Sequence, residues 1–317
     1  MTAVDMDAPS VVGSDDAFSS SPVGKARWRQ RVGETLASAL RRILIDEITS
    51  ARAVIGDPDL PRSEAIHLTR RCLKRVRSLW DVFEPLPGAN RDGRIRQVRD
   101  AARLLAAARD ADVMAAEARR LHERAEGRTV VATERFLARC EERARHAHLA
   151  TPPLELVAAR LRACEADARS LPTVFEGGRL LADSLVGAYR RGRKDWREIE
   201  DGAGGETLHD WRKRVKHRHH LSAIVPVATT VTSRSIQADL GQLGEFLGEE
   251  HDLAVMKGRI EDDPDLLSVE DGREDLLDLI ARRRRKLTKI AMELGSDLYA
   301  LRTRSFEREL ETLRDLR

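Results

Sequence analysis

Aromatic side chains are scarce in this chain: Phe, Trp and Tyr together make up 4% of its 317 residues. Strands draw on aromatic and β-branched residues, whereas the Ala, Leu, Arg and Glu that dominate here favour helices. The composition therefore predicts an all-α protein. The length leaves room for two or three domains of about 150 residues each.

Cysteine is also rare. Cys72, Cys140 and Cys164 are widely spaced and form no Cys-x-x-Cys pair. An odd count without that spacing favours a reduced, cytoplasmic protein over a disulfide framework. None of the three is a predicted metal ligand.

Long apolar runs are missing. No stretch approaches the roughly 20 apolar residues that a membrane span requires. Residues 1–24 are rich in Ser, Asp, Gly and Pro and lack the basic start and apolar run of a signal peptide. We predict a disordered tail at 1–24 and a cytoplasmic protein with no membrane association.

Motifs for phosphate chemistry are missing too, since no Gly-x4-Gly-Lys-Ser/Thr loop occurs and no metal-binding acid cluster is evident. Asp110 and Asp252 could form a catalytic carboxylate pair. The simpler interpretation is that each orients Arg or Lys side chains or caps a helix bend. We predict a protein that is not an enzyme and needs no cofactor.

What the chain does contain is an internal duplication. Residues 67–74 (HLTRRCLK) and 209–216 (HDWRKRVK) carry the same basic pattern 142 positions apart, and the offset also places Asp110 on Asp252. A duplication kept for packing alone would repeat apolar residues first. We predict two related halves, 25–150 and 176–317, joined by a connecting helix or linker at 151–175.

Gly and Pro divide each half into helical segments. The breaks fall at 56–58, 85–88, 151–153 and 202–205. A third helix is predicted over 92–126 with a bend around 110–113, and a last one from 273 with a break near Gly295. Each half then resembles a four-helix bundle.

Charge is sorted along the chain. Residues 62–77 contain six basic residues and one acid, which gives +5, whereas residues 245–278 contain thirteen acids and three bases, which gives −10. The formal net charge of the whole chain is only +3. Such sorting is typical of a protein in which one surface attracts polyanions.

The basic residues of both copies occupy one face of a helix. At ~100° per residue, the cationic arc lies beside an apolar stripe that includes Leu73 and Trp80 in the first copy and Trp211 and Val215 in the second. Arg218 falls on the apolar side, which predicts either a less buried helix or a salt bridge for this residue. The predicted anion-binding residues are His67, Arg70, Arg71, Lys74, Arg77, His209, Arg212, Lys213, Lys216, His219 and His220.

Like charges three and four positions apart repel each other, so a row of them makes sense if a partner supplies negative charge. A phosphate polymer matches a repeating row of Arg, Lys and His. Three alternatives stay open: solvated surface helices, a metal held by His217 and His220, and nucleic acid. The surrounding positive charge opposes a metal, and the cationic arcs lack aromatics for base stacking. Nucleic acid ranks second.

These motifs resemble the CHAD family, the conserved histidine α-helical domain. The resemblance rests on the two His-led motifs at 65–77 and 208–216, with supporting matches at 109–113, 189–194, 251–255 and 294–299, and it covers roughly residues 25–317. The chain departs from the family at His219, where Arg is usual, and at His220, where an aromatic is usual. It also lacks the Glu-x-Glu-x-Lys motif of the triphosphate-tunnel domain that often accompanies the family.

Membership would imply two four-helix bundles related by pseudo-twofold symmetry, with the His-bearing helices facing a central basic pore or groove. It would also imply binding of inorganic polyphosphate without catalysis, and possible association with polyphosphate granules. The His-rich stretch at 217–220 would then make binding in the second half sensitive to pH.

Overall fold

The computed structural model describes residues 28–86, 91–225, 229–268 and 271–316. Within these ranges the chain is helical and contains no strand, which confirms the all-α prediction. The tail predicted at 1–24 and the break residues 87–88 lie outside the described residues. The helices are α1 (Leu36–Ile55), α2 (Arg62–Val82), α3 (Arg91–Leu104), α4 (Ala106–Glu123), α5 (Thr129–Ala150), α6 (Leu154–Arg169), α7 (Gly177–Glu200), α8 (Glu206–Ser222), α9 (Arg234–Asp262), α10 (Arg273–Leu298), α11 (Thr303–Arg308) and α12 (Glu311–Arg314).

The order of helices repeats with the offset of the sequence motifs. Helices α1, α2, α3 and α5 begin 141 to 144 positions before α7, α8, α9 and α10. The packing repeats as well, because α1 packs on α2 as α7 packs on α8, and α4 packs on α5 as α9 packs on α10. The duplication is therefore a property of the fold as well as of the sequence.

The first half has two helices where the second half has one. Helix α3 ends at Leu104 and α4 begins at Ala106, whereas α9 continues unbroken through the equivalent region. The bend predicted at 110–113 is thus placed too late, since the break is at Leu105, a buried residue. The carbonyl of Ala102, near the end of α3, accepts hydrogen bonds from the amide of Leu105 at 3.2 Å and from Nη1 of Arg70 at 2.9 Å.

Two hydrophobic cores cross the boundary between the sequence halves. The larger core joins α1, α2, α3 and α6 with α7, α8 and the first part of α9. The smaller core joins α4 and α5 with the later part of α9 and the first part of α10. Helix α9 reaches both because its 29 residues span about 43 Å at ~1.5 Å per residue. The cores therefore do not coincide with the predicted halves, whose boundaries and pseudo-twofold relation stay predictions.

Gly295 does not break the last long helix. Helix α10 runs through it to Leu298. A Cβ atom at this position would lie 2.7 Å from Cδ1 of Trp196 and 2.8 Å from Cζ2 of Trp211. The glycine is needed because two indole rings approach the helix backbone, so the break predicted there is wrong.

Arg218 is buried, with 1% of its surface exposed. Its guanidinium lies 5.0 Å from the ring centre of Tyr189, 5.4 Å from that of Tyr299 and 5.1 Å from that of Phe306, and its Nη1 donates to the carbonyl of Leu298 at 2.9 Å. Aromatic faces and a helix-end carbonyl thus replace the salt bridge or exposure that the sequence predicted.

The two basic helices α2 and α8 pack on each other. Oγ of Ser78 lies 3.0 Å from Nδ1 of His220, and these residues occupy equivalent positions, 142 apart. A contact between equivalent positions is the one expected where two repeats face each other. None of the helices in the described parts of the chain is long and apolar enough to cross a membrane.

Two glycine substitutions test the packing of the bundle. A Cβ at Gly177 would lie 2.5 Å from the backbone nitrogen of Ala37, so Gly177→Ala must displace α1 and should destabilise the protein by about 1–3 kcal/mol. At Gly258, in α9, a Cβ would meet nothing within 4 Å, so Gly258→Ala should stabilise by up to ~1 kcal/mol. Urea unfolding of the two variants measures both effects, and equal stabilities would contradict the packing of α7 on α1.

Candidate functional site

Side chains of the predicted anion-binding set from both basic helices line one cavity of about 860 Å³. Helix α2 contributes Arg71 and Lys74, and helix α8 contributes Lys216, His219 and His220. The remaining wall is formed by α1, by the first part of α9 and by Trp28 and Arg29 before α1. This space, the α2–α8 cavity below, thus brings together five of the eleven predicted anion-binding residues.

Helix α9 runs antiparallel beside α8 and carries glycines where the cations lie. A Cβ at Gly244 would be 3.7 Å from Cγ of Lys216, and one at Gly248 would be 3.9 Å from Nε of Arg212. Further along, the rings of His209 and His251 stack with centres 4.3 Å apart. The cationic row of α8 therefore lies along the surface of α9 and leads into the cavity at Lys216.

The carboxylate of Asp252 lies among these cations. Burial raises the pKa of Asp252, and four nearby cations act in the opposite direction, namely Arg212, Lys74, Arg109 and Lys216. They come from α2, α4 and α8. This group, the Asp252 cluster below, holds like charges from three helices near one negative charge, which reduces their mutual repulsion. It supports the interpretation that Asp252 orients cations.

The equivalent pair in the first half is Arg70 and Asp110. Burial lowers the pKa of Arg70, and the nearby carboxylate of Asp110 opposes this effect. Arg70 and Arg212 are 142 positions apart, as are Asp110 and Asp252, so the repeat has preserved an Arg beside an Asp. Arg70 does not line the cavity, and part of its hydrogen-bonding capacity is used on the carbonyl of Ala102.

Besides Arg70, His209 and Arg212, three more of the predicted residues do not line the cavity. Arg77 is exposed and lies close enough to Arg70 to lower the pKa of that guanidinium. Nζ of Lys213 pairs with Oδ1 of Asp210 at 2.8 Å on the surface. His67 is half-buried on α2. The predicted row is therefore divided among the cavity, the Asp252 cluster and the solvent-facing side of the helices.

The histidines of the site favour the neutral form. Burial is the first cause of the lowered pKa of His209, of His251, at about 4, and of His220, which lies well below the usual range. Nearby Lys, Arg and His residues act in the same direction. His220 is thus a neutral residue of the cavity wall. Its Nδ1 lies 3.0 Å from Oγ of Ser78, and the centre of its ring lies 6.3 Å from that of Trp28.

Arg212 has an unmet hydrogen-bonding requirement. Its Nε is buried and has no hydrogen-bond partner among the described residues. A buried charged donor without a partner is costly, so an acceptor from outside the protein would stabilise this arrangement. Anion oxygens are the acceptors that suit a guanidinium best.

Several residues of the site were not among the predicted eleven. Arg109 and His251 are 142 positions apart, each directly before a repeated Asp, so extending the repeat by one residue would have identified them. Arg75 also lines the cavity, but its Nε pairs with Oε2 of Glu47 at 2.8 Å, and Glu47 accepts from Nε1 of Trp28 at 2.7 Å. That network joins distant segments, and no local pattern reveals it.

A second, smaller hollow of about 210 Å³ lies on the surface of α7, lined by Arg190, Arg193, Lys194 and Arg197 with Glu198 and Thr303. Lys194 pairs with Glu198 at 3.3 Å, and Nε of Arg193 donates to the carbonyl of Tyr299 at 3.0 Å. It shares no lining residue with the α2–α8 cavity. These contacts make it a surface feature of α7 separate from the basic helices.

The buried cysteines are poor metal ligands and poor nucleophiles. Burial raises the pKa of Cys72, Cys140 and Cys164 to about 12 each, so the thiols stay protonated. All three are free. In the described part of the chain, no three His, Cys, Asp or Glu side chains are grouped as a metal site.

Acidification should destabilise the protein through His217. Burial and the nearby Arg191 and Arg214 lower its pKa to about 4, although Asp81 lies 3.9 Å away. The unfolded chain binds this proton near pH 6.5, so the stability present above that pH is lost as the pH falls towards 4. The loss through this residue is about 2 kcal/mol at pH 5.

Urea unfolding at pH 7.5 and pH 5 gives the change in the free energy of unfolding on acidification, which is compared between the wild type and two variants. His217→Gln should lose less stability on acidification than the wild type. His146→Gln, at an exposed position, is the matched control and should follow the wild type. Parallel behaviour of His217→Gln and the wild type would show that the imidazole is not held neutral.

Comparison with known proteins agrees with this architecture. A family model described as CHAD domain matches residues 38–261, which is more than half of the chain. The crystal structure of the CHAD domain from the plant Ricinus communis aligns with a TM-score of 0.55 at 19% identity, over 84% of this chain and 92% of that one, and so shares the fold. No curated protein matches the chain. The duplicated His-led helices and the family match together establish that the chain belongs to the CHAD domain family.

Proposed function

We propose that the protein binds inorganic polyphosphate along the cationic side chains of α2 and α8, without catalysis. The observation that carries the proposal is that Arg71 and Lys74 of α2 line the same cavity as Lys216 and His219 of α8. The two basic motifs are far apart in sequence, and a merely solvated pair of surface helices would not need to bring their cations together.

Charge and geometry favour a ligand that carries several phosphates. The cationic row of α8 extends from His209 to Lys216, about 10 Å at ~1.5 Å per residue. Lys74 belongs to both the cavity and the Asp252 cluster, so the row continues from one helix to the other. A single phosphate would reach only part of it, whereas a linear polyphosphate would reach all of it.

Asp252 offsets part of the positive charge of the cations that surround it. Four cations surround this carboxylate, with Glu117 also close to it, and a polyanion would neutralise positive charge that Asp252 does not offset. Binding would also raise the pKa of His209 and His220 and favour proton uptake. Polyphosphate binding should therefore strengthen as the pH falls, which agrees with the expected pH sensitivity of residues 217–220.

Nucleic acid is the second candidate ligand, since phosphate contacts dominate its affinity as well. Trp28 lines the cavity, yet its Nε1 is bonded to Glu47 and the Arg75 guanidinium lies over its ring, 5.8 Å from the centre. The cationic row itself offers no aromatic face for bases. Location in the cytoplasm, at polyphosphate granules, is part of the same proposal.

Reversing charge at the meeting point of the two helices should weaken binding strongly. Lys74→Glu and Lys216→Glu should each lower polyphosphate affinity by about 10–100-fold, because each removes a charge-assisted contact of about 1.5–3 kcal/mol. Arg285→Glu and Lys286→Glu, at exposed positions of α10, are the controls. Arg41 and Arg283 are unsuitable, since Arg41 donates to the carbonyls of Leu171 and Arg169 and Arg283 pairs with Glu249. Equal losses in all four variants would mean that general charge is responsible.

Competition at fixed salt separates the two ligand classes. Long polyphosphate and a single-stranded RNA of equal total charge should both bind more weakly as salt rises, but polyphosphate should bind tighter at every salt concentration. Fluorescence anisotropy with a labelled polyphosphate, displaced by either competitor, measures the preference. RNA that displaces the probe as well as polyphosphate does would favour a nucleic-acid-binding protein.

A further inference from the structure

The α2–α8 cavity is larger and more apolar than a phosphate chain needs. Its volume of about 860 Å³ lies within the range of sites for small organic ligands, which is roughly 300–1,000 Å³. Apolar side chains enter it from every wall, namely Trp28, Val54, Leu68, Cys72, Ala223 and Ala238. Polyphosphate has no apolar atoms and gains nothing from this surface.

The cavity changes character along α8 and α9. It is cationic where Lys216 lies beside Gly244. Two turns further along α8 it is lined by Ala223, and on the antiparallel α9 by Ala238 and Gln237, whose Nε2 donates to the carbonyl of Ser222 at 3.1 Å. Arg234 also lines this second part and Glu245 the first, so phosphates on the cationic row would continue into an end of mixed character, called the apolar end below because Ala223 and Ala238 supply its apolar surface.

The apolar end also carries acceptors. Asp239 lines the cavity next to Ala238 and supplies a carboxylate, and the Gln237 amide is held there by its Nε2, which donates to the carbonyls of Ser222 and Thr232. A carboxylate at this place repels a bare phosphate chain. It suits a ligand with hydroxyl or amino donors, as in the ribose of a nucleotide.

We propose that the α2–α8 cavity binds a nucleoside polyphosphate, with its phosphates on Lys74 and Lys216 and its nucleoside against Ala223, Ala238 and Asp239. The phosphate half of this inference rests on the proposed function, and the nucleoside half rests on the cavity alone. The protein then binds nucleotides with three or more phosphates at the inner end of its polyphosphate row.

ATP and inorganic tripolyphosphate carry the same number of phosphates, but only ATP carries a nucleoside. Comparing them therefore tests the nucleoside part of the inference separately from the phosphate part. Calorimetric titration of the full chain at one pH, salt and Mg²⁺ concentration should show that ATP binds at least tenfold more tightly than tripolyphosphate, a difference in binding free energy of about 1.4 kcal/mol. Burial of roughly 60 Å² of apolar surface on the nucleoside accounts for that difference at ~25 cal/mol per Å². Tripolyphosphate binding as tight as ATP would overturn the inference while leaving polyphosphate binding intact.

The Ala238→Trp variant tests where in the cavity the nucleoside binds. Ala238 is exposed on α9, so the larger side chain can be accommodated by the helix while it fills the apolar end. ATP affinity should fall to that of tripolyphosphate, which should itself change less than about twofold. Ala53→Trp, at an exposed position of α1 outside the cavity wall, should change neither. An unchanged ATP preference in Ala238→Trp would overturn the inference, and failure of every phosphate ligand to bind the wild type would overturn the proposed function as well.

Discussion

The structure depends on packing two positively charged helices against each other, which like-charge repulsion opposes. Three features make this possible. At the contact itself, Ser78 meets a neutral His220, so no two charges face each other there. Asp252 lies among the cations of three helices. The opposite faces of α2 and α8 bury apolar stripes that include Leu73 and Val215, and the burial of such residues, at about 1.5–3 kcal/mol each, outweighs exposed repulsions of a few tenths.

The cations of the two motifs have unequal roles because their surroundings differ. Lys74 and Lys216 line the cavity and also lie near the half-buried carboxylate of Asp252. Arg70 is held against the end of α3, and Arg218, one position from His219, is enclosed by three aromatic rings. A family motif counts all such residues alike. Their surroundings separate the cations that line the cavity from those that hold the bundle together.

Much of this could be predicted from the sequence, because periodicity and the 142-residue offset are local or repeated signals. These signals predict the all-α fold, the order of the helices and the cationic faces of α2 and α8. The break at Leu105 and the continuous helix at Gly295 could not be predicted, because each depends on a distant partner: Arg70 for the first, Trp196 and Trp211 for the second. The same holds for the pairing of Arg75 with Glu47 and for the mixing of the two halves in each core.

The contact between Ser78 and His220 has a consequence for the symmetry of the cavity. In a homodimer with twofold symmetry, a residue that meets its own equivalent must be identical on both sides. Within one chain the two partners are free to diverge, and here a small hydroxyl faces an imidazole. The two repeats are thus chemically distinct where they meet, and of these two residues His220 lines the α2–α8 cavity whereas Ser78 does not.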